Sequence, residues 1–142
     1  MVLDIGMGRI PEMKSYYKNI LVEPSVLEKS VTNAFEANGI EPKEASIISE
    51  ILVEANLRGI DTHGVVLVET YLKRLQAKSI NPSPKYIIEK TGLASSCIDG
   101  DNGLGQLISY TAMEHTIERA KEFGVAMTTV KNSNHFGAAF YY

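Results

Sequence analysis

Two histidines in this sequence stand where chemistry is most easily placed. His63 lies in Asn56-Leu57-Arg58-Gly59-Ile60-Asp61-Thr62-His63-Gly64-Val65, directly after a hydroxyl residue and before glycine. His135 lies in Lys131-Asn132-Ser133-Asn134-His135-Phe136-Gly137-Ala138-Ala139, after an amide and before Phe-Gly. Both fall in bends between regular elements, and such loops are where binding and catalytic residues concentrate. Imidazole is a side chain suited to proton transfer near neutral pH. Two loops of this kind point to an enzyme, with the rest of the chain as the scaffold that brings them together.

Each histidine also has a bland alternative. If a helix starts at Asp61 or Thr62, His63 lies in its first turn, among unpaired N–H groups at the positive end of the dipole. That setting favours a neutral imidazole, a competent general base, and attracts a substrate carboxylate. Tyr71 then lies about two turns along the same face. The alternative is a surface histidine near a cap, with Tyr71 in the core. At His135, glycine allows close approach to a flat ligand and Phe136 can cover it; the alternative is a strand-end histidine bonded to the backbone. His115, between Glu114 and Thr116, reads as an ordinary helix residue. Three histidines could serve a catalytic metal, but their spacing matches no ligand pattern, and no metal is expected. Gly103-Leu104-Gly105 resembles part of a dinucleotide fingerprint, yet Ile108 stands at the third glycine position and the acidic residue is missing. A tight glycine turn backed by Asp99, Asp101 and Asn102 is preferred. The same residues lack the distal glutamate and the spacing of a calcium loop.

The elements that must position these loops follow from pattern. Met1 to Val22 is broken by Gly6, Gly8 and Pro11 and reads as a loosely attached extension over 1–22, with Tyr16, Tyr17, Ile20 and Leu21 able to pack. Ser25 and Glu28 have the spacing of a capping box; Leu27, Val31, Ala34 and Phe35 share a face, and Gly39 ends that helix. Pro42 opens a second helix with Ala45, Ile48, Leu52 and Ala55 as its buried stripe, and Gly59 stops it. A third is predicted from about His63 to Lys78 with Asp61 or Thr62 as its N-cap. After Asn81-Pro82-Ser83-Pro84, Tyr86 to Ile88 and Ala94 to Ile98 read as short strands around Gly92. Asp99 to Gly105 reads as a tight loop before a long helix, about Gln106 to Phe123, whose inner face is Leu107, Tyr110, Met113, Ile117 and Ala120. Gly124 closes it. Val125 to Val130 is the best strand and delivers Asn132 to Gly137 at its end. Helices first, then strands and a helix, make the class mixed α/β.

With 142 residues and 44% hydrophobic content the chain can bury a real core. A net charge of −3 gives no basic footprint for nucleic acid. The single cysteine, Cys97, excludes an internal disulfide and fits a reducing compartment. The start lacks the pattern of a secretory signal, and no apolar run approaches the roughly 18 residues of a membrane span. A cytoplasmic, soluble protein is expected.

Three stretches together carry a family resemblance: Leu57 to Val65, Asp99-Gly100-Asp101-Asn102-Gly103-Leu104-Gly105-Gln106, and Asn132 to Ala139. They resemble the malate/L-lactate dehydrogenase family, which also holds ureidoglycolate, sulfolactate and diketogulonate dehydrogenases and is distinct from the Rossmann-type enzymes. The likeness runs from about Ser25 to Tyr142. It implies a non-Rossmann fold, residues 23–142 as its N-terminal part, and a homodimer. It further implies NAD or NADP as cofactor and interconversion of a 2-hydroxy acid with its 2-oxo acid. Hydride would pass between the nicotinamide and the substrate C2 while a histidine moves the hydroxyl proton. By resemblance His63 or His135 is that acid/base, Thr62 stands where serine is commoner, Tyr71 is on the substrate side, and Phe136, Gly137, Ala138 and Ala139 line the cofactor. Two residues depart from the pattern. Leu67 occupies the place of an arginine that grips the substrate carboxylate, and Phe140 stands where glycine is usual and is expected to crowd that turn. Family members continue past this point, so an N-terminal part, or a truncated and non-catalytic remnant, is the second reading.

Overall fold

The computed structural model describes residues 21–142. Helix α1 spans Pro24–Glu36 with Glu23 at its N-cap, so Ser25 is already inside it. The capping box expected from Ser25 and Glu28 is absent: no side chain caps this end. Pro24 starts the helix instead, since its missing N–H leaves nothing unpaired there. Helix α2, Pro42–Leu57, has both devices, for the Glu41 carboxylate accepts from the Lys43 and Glu44 N–H groups at 3.0 and 3.3 Å. Its expected stripe, Ala45, Ile48, Leu52 and Ala55, is buried, and so are Ser49, Ile51 and Val53. Burial that wide makes α2 the central helix. Around it Val31, Phe35, Ile40, Tyr71, Leu75 and Leu107 complete the main core.

The third predicted helix starts later than expected. Asp61–His63 and Val65–Leu67 are separate 3-10 turns, and α3 proper is Val68–Gln76. The cause is Asn56. Its Oδ1 accepts from the Val65 N–H at 2.8 Å and its Nδ2 donates to Asp61 Oδ1 at 2.6 Å. Asp61 is thereby spent on Asn56 rather than on capping, and a Cβ on Gly64 would overlap the Asn56 amide. Leu67 and Val65 turn toward the main core.

Strand β1, Ile87–Lys90, pairs antiparallel with β2, Ser95–Gly103, around Gly92. β2 does not stop at Ile98. Asp101 and Asn102 adopt φ of 46° and 57° and shift the register between Asp99 and Gly103, so the turn-forming residues make a bulge within the strand. Asp101 also anchors the preceding loop, accepting from Asn81 Nδ2 and the Lys85 N–H. Helix α4, Gly105–Phe123, then crosses to β3, Met127–Ser133, which pairs parallel with β2. The sheet order is β1-β2-β3.

The inner face of α4 is rotated and shortened relative to the expected one. Gly105, Gln106, Leu107, Ile108 and Ala112 are buried, whereas Ile117 is 47% exposed. Only the first turns of α4 enter the interior, with Ile108 and Ala112 on Ile98 of β2. Farther along, His115 approaches Ser96 Oγ to 2.9 Å and ties the helix to the sheet. Gly124, at φ 80°, closes α4 as predicted. The extension over 1–22, with Tyr16, Tyr17 and Ile20, lies outside the described residues except for Leu21 and Val22, both exposed. No described helix is long and apolar enough to cross a membrane.

The rotated face makes a direct expectation for stability. Ile108→Ala should cost about 2–5 kcal/mol in urea unfolding, whereas Ile117→Ala should cost less than about 1 kcal/mol.

Candidate active site

The loop after β3 is fixed before any ligand is considered. Asn134 donates from Nδ2 to the Asn102 and Gly103 carbonyls, both at 2.9 Å, and accepts at Oδ1 from Arg74 at 2.6 Å. A Cβ on Gly105 would overlap the backbone carbonyls of Asn134 and His135. Glycine at 105 is thus required by the loop that lies against the first turn of α4, not by a phosphate. Arg74 and the Asn134 clamp leave no local signal in the sequence, because the partners are so distant in the chain.

On this footing His135 meets His63. The ring centroids are 5.5 Å apart with planes inclined by 32°. Thr62 Oγ1 lies 3.0 Å from His63 Nδ1, leaving Nε2 as the nitrogen without an assigned partner. Because His63 belongs to a three-residue 3-10 turn, the helix-dipole setting expected for it is absent. Phe136 stacks beside His135 at 6.0 Å and 17°, and Tyr142 meets Phe136 edge-on at 6.2 Å.

His135 Nδ1 has two neighbours, the Gly137 N–H at 3.2 Å and the Tyr71 hydroxyl at 2.9 Å. A backbone N–H can only donate, so Nδ1 acts as acceptor and the neutral ring carries its proton on Nε2. Tyr71 therefore donates to Nδ1 and accepts from Gln106 Nε2 at 2.9 Å. Tyr71 is 2% exposed, and its hydroxyl is turned to these two partners. Gln106 is fully buried, and its Oε1 has no partner among the described residues. An orphaned buried acceptor costs about 1–3 kcal/mol, a sign that the amide is held where it is by Tyr71. Partial desolvation of an otherwise exposed ring, and next the nearby His63, hold the His135 pKa below its ordinary 6.5. Burial raises the Tyr71 hydroxyl, opposed by its bond from Gln106 and by Arg74.

The remaining predicted residues divide. Phe136 is 46% exposed and Ala139 is exposed, whereas Gly137 and Ala138 are buried. Phe136 and Ala139 line a cleft of about 350 Å³ with Met113, Val130 and Tyr142. A half-exposed aromatic ring beside small residues and an apolar cleft fits a flat ring such as nicotinamide. A larger hollow of about 520 Å³ lies elsewhere, by Tyr86, Ile88 and His115, and contains neither His63 nor His135. His115 stays with Ser96, away from the pair. Arg58 is ion-paired with Glu54 at 2.7 Å and lies over the Phe140 ring at 4.4 Å, so Phe140 is accommodated by a cation–π contact. Among the described residues no group of three or more His, Cys, Asp or Glu side chains is placed to hold a metal.

Residues 22–142 match the malate/L-lactate dehydrogenase family. The chain belongs to this family. The L-sulfolactate dehydrogenase of Methanocaldococcus jannaschii is 36% identical over 123 residues, covering 87% of this chain and 36% of that protein. The NAD(+) ureidoglycolate dehydrogenase of Escherichia coli is 33% identical over 121 residues, 85% of this chain and 35% of that one. The structure of malate dehydrogenase from Pyrococcus horikoshii OT3 superposes with a TM-score of 0.84 at 34% identity, covering 86% of this chain and 35% of that one. The fold is thus that of the malate/L-lactate dehydrogenase family. This chain spans about a third of the length of the curated relatives it matches.

The lowered His135 pKa fixes a sign for pH dependence. The unfolded chain binds a proton at this residue where the folded one does not. Its contribution to stability is therefore full above about pH 6.5 and lost as pH falls through the folded value. Urea midpoints should fall on acidification from about pH 7.5 to about pH 5, and His135→Gln should remove part of that slope. His63→Gln should raise the His135 titration midpoint followed by NMR, as a like charge is removed.

Proposed function

We propose that this chain carries the proton-transfer half of an NAD(P)-dependent oxidoreductase that interconverts a 2-hydroxy acid and its 2-oxo acid. The observation that carries the reading is the meeting of His63 and His135, from two motifs far apart in the chain, with ring centroids 5.5 Å apart. Family membership and the dehydrogenase names of the relatives support the reaction class.

In this reading each imidazole has its own task. His63 takes the substrate hydroxyl proton at Nε2 in oxidation and returns it in reduction, with Thr62 orienting the ring through Nδ1. His135, kept neutral and protonated at Nε2, donates a hydrogen bond to the same oxygen and stabilises the charge that develops there. Tyr71 serves the substrate side by holding His135 rather than through an exposed hydroxyl. Phe136 and Ala139 would hold the nicotinamide ring, with Gly137 and Ala138 adding no bulk to that face. A bound NAD(P) supplies the hydride acceptor or donor.

Leu67 packs toward the core and cannot supply the carboxylate grip, and Arg58 is paired with Glu54 at the surface. In this reading the grip would come from another part of the assembled enzyme, such as the second copy of the expected homodimer. A second reading rests on length: the chain spans about a third of its relatives, which favours a fragment that is reactive only with a partner segment, or a non-catalytic remnant. Assays of NADH and NADPH oxidation with a panel of 2-oxo acids, in the full-length protein, test the first reading. His63→Ala and His135→Ala should each lower kcat about 10²-fold or more; unchanged rates contradict it. Cofactor binding by the 142-residue chain itself separates the readings, and no binding at about millimolar NADH or NADPH supports the fragment.

A further inference from the structure

We propose that Gln106 is a positioning residue whose amide, acting through Tyr71, reinforces the Gly137 N–H in holding the His135 proton on Nε2. The inference goes beyond the acid/base assignment and rests on it only for its catalytic meaning. The hydrogen-bond chain has one consistent direction. Gly137 N–H donates to His135 Nδ1, so the Tyr71 hydroxyl at 2.9 Å donates there too. The Tyr71 oxygen then accepts, and the group that donates to it is the Gln106 Nε2 at 2.9 Å. Every link beyond Gly137 is a side chain that could in isolation point either way, and each is fixed by the next.

The last link is the least free to move. Gln106 is fully exposed to neither solvent nor cleft, being 0% accessible, and its Oε1 lacks a partner among the described residues. Turning the amide over would place Oε1 on Tyr71. Tyr71 would then donate to Gln106 and accept from His135, which requires a proton on Nδ1. That state sets two N–H groups, those of His135 and Gly137, against each other. Gln106 thus keeps His135 as an Nε2–H donor and opposes the imidazolium, whose Nδ1–H would face a hydroxyl already directed at it. The titratable and charged groups that bear on the pair from the surrounding elements are His63, Arg74 and Tyr142. They are left unchanged in the variants below.

The test reads the imidazole nitrogens by long-range ¹H–¹⁵N correlation across a pH titration, with neither cofactor nor substrate present. The wild-type neutral ring should show a protonated Nε2 and a bare Nδ1. Gln106→Met keeps the bulk and removes both amide polar atoms; Tyr71 is then free to accept, and the His135 midpoint should rise by about half a pH unit. Gln106→Glu, read above the carboxyl's own titration, can only accept; it should move the proton to Nδ1 and raise the midpoint by about one unit or more. In a Tyr71→Phe background Gln106→Met should leave His135 unaltered, a result that bulk disruption of the fold would not produce. The inference is overturned by a wild-type ring protonated at Nδ1. It is equally overturned if folded Gln106→Met and Gln106→Glu both keep the wild-type midpoint, or if the Gln106→Met shift persists without the Tyr71 hydroxyl. Because no turnover is read, failure here is distinguishable from failure of the dehydrogenase reading, which the cofactor and rate measurements address.

Discussion

The close approach of the Asn134-His135 backbone to Gly105 is the constraint on which the rest of the site depends. There the bulged end of β2, the first turn of α4 and the loop after β3 occupy the same small volume. A side chain at 105 would push the loop outward and carry His135 with it. Asn134 secures the contact from the other side, bonding the Asn102 and Gly103 carbonyls and held in turn by Arg74 of α3. The loop is short of regular structure, yet its position is set by backbone contact and by side-chain amides rather than by a ligand.

The second histidine arrives by an independent route. Asn56, near the end of α2, folds the Asp61–Leu67 segment into two tight turns and presents His63 toward the loop. α2 is the most buried of the described helices, so the turn hangs directly from the main core. Both histidines are therefore carried by irregular segments whose geometry is imposed by buried helices, an arrangement that combines access with precision. The cost is concentrated at Gln106, where a buried acceptor goes without a partner so that Tyr71 and His135 can be aligned.

Much of this was legible in the sequence, and the exceptions share a cause. Pro42 and Gly124 marked helix ends because each acts locally, through a missing N–H or a left-handed φ. The Thr62-His63-Gly64 and Asn134-His135-Phe136-Gly137 segments announced themselves by residue type. What was misread depended on partners far along the chain. Asp61 looks like a helix cap until Asn56 claims it, and Asp101-Asn102 looks like a turn until β3 pairs beside it and makes it a bulge. The inner face of α4 was misplaced because a periodic pattern assumes one uniform face, while this helix is buried only at its first turns. Gln106 was invisible as a site residue, since a glutamine in a helix reads as surface until Tyr71 is placed against it.

The convergence of the two imidazoles can be measured without cofactor or substrate. Nuclear Overhauser contacts between the ring protons of His63 and His135, in a sample labelled only at histidine, report it directly. Centroids 5.5 Å apart predict clear cross-peaks between the two rings. Well-resolved signals from both residues with no cross-peak between them would contradict that convergence.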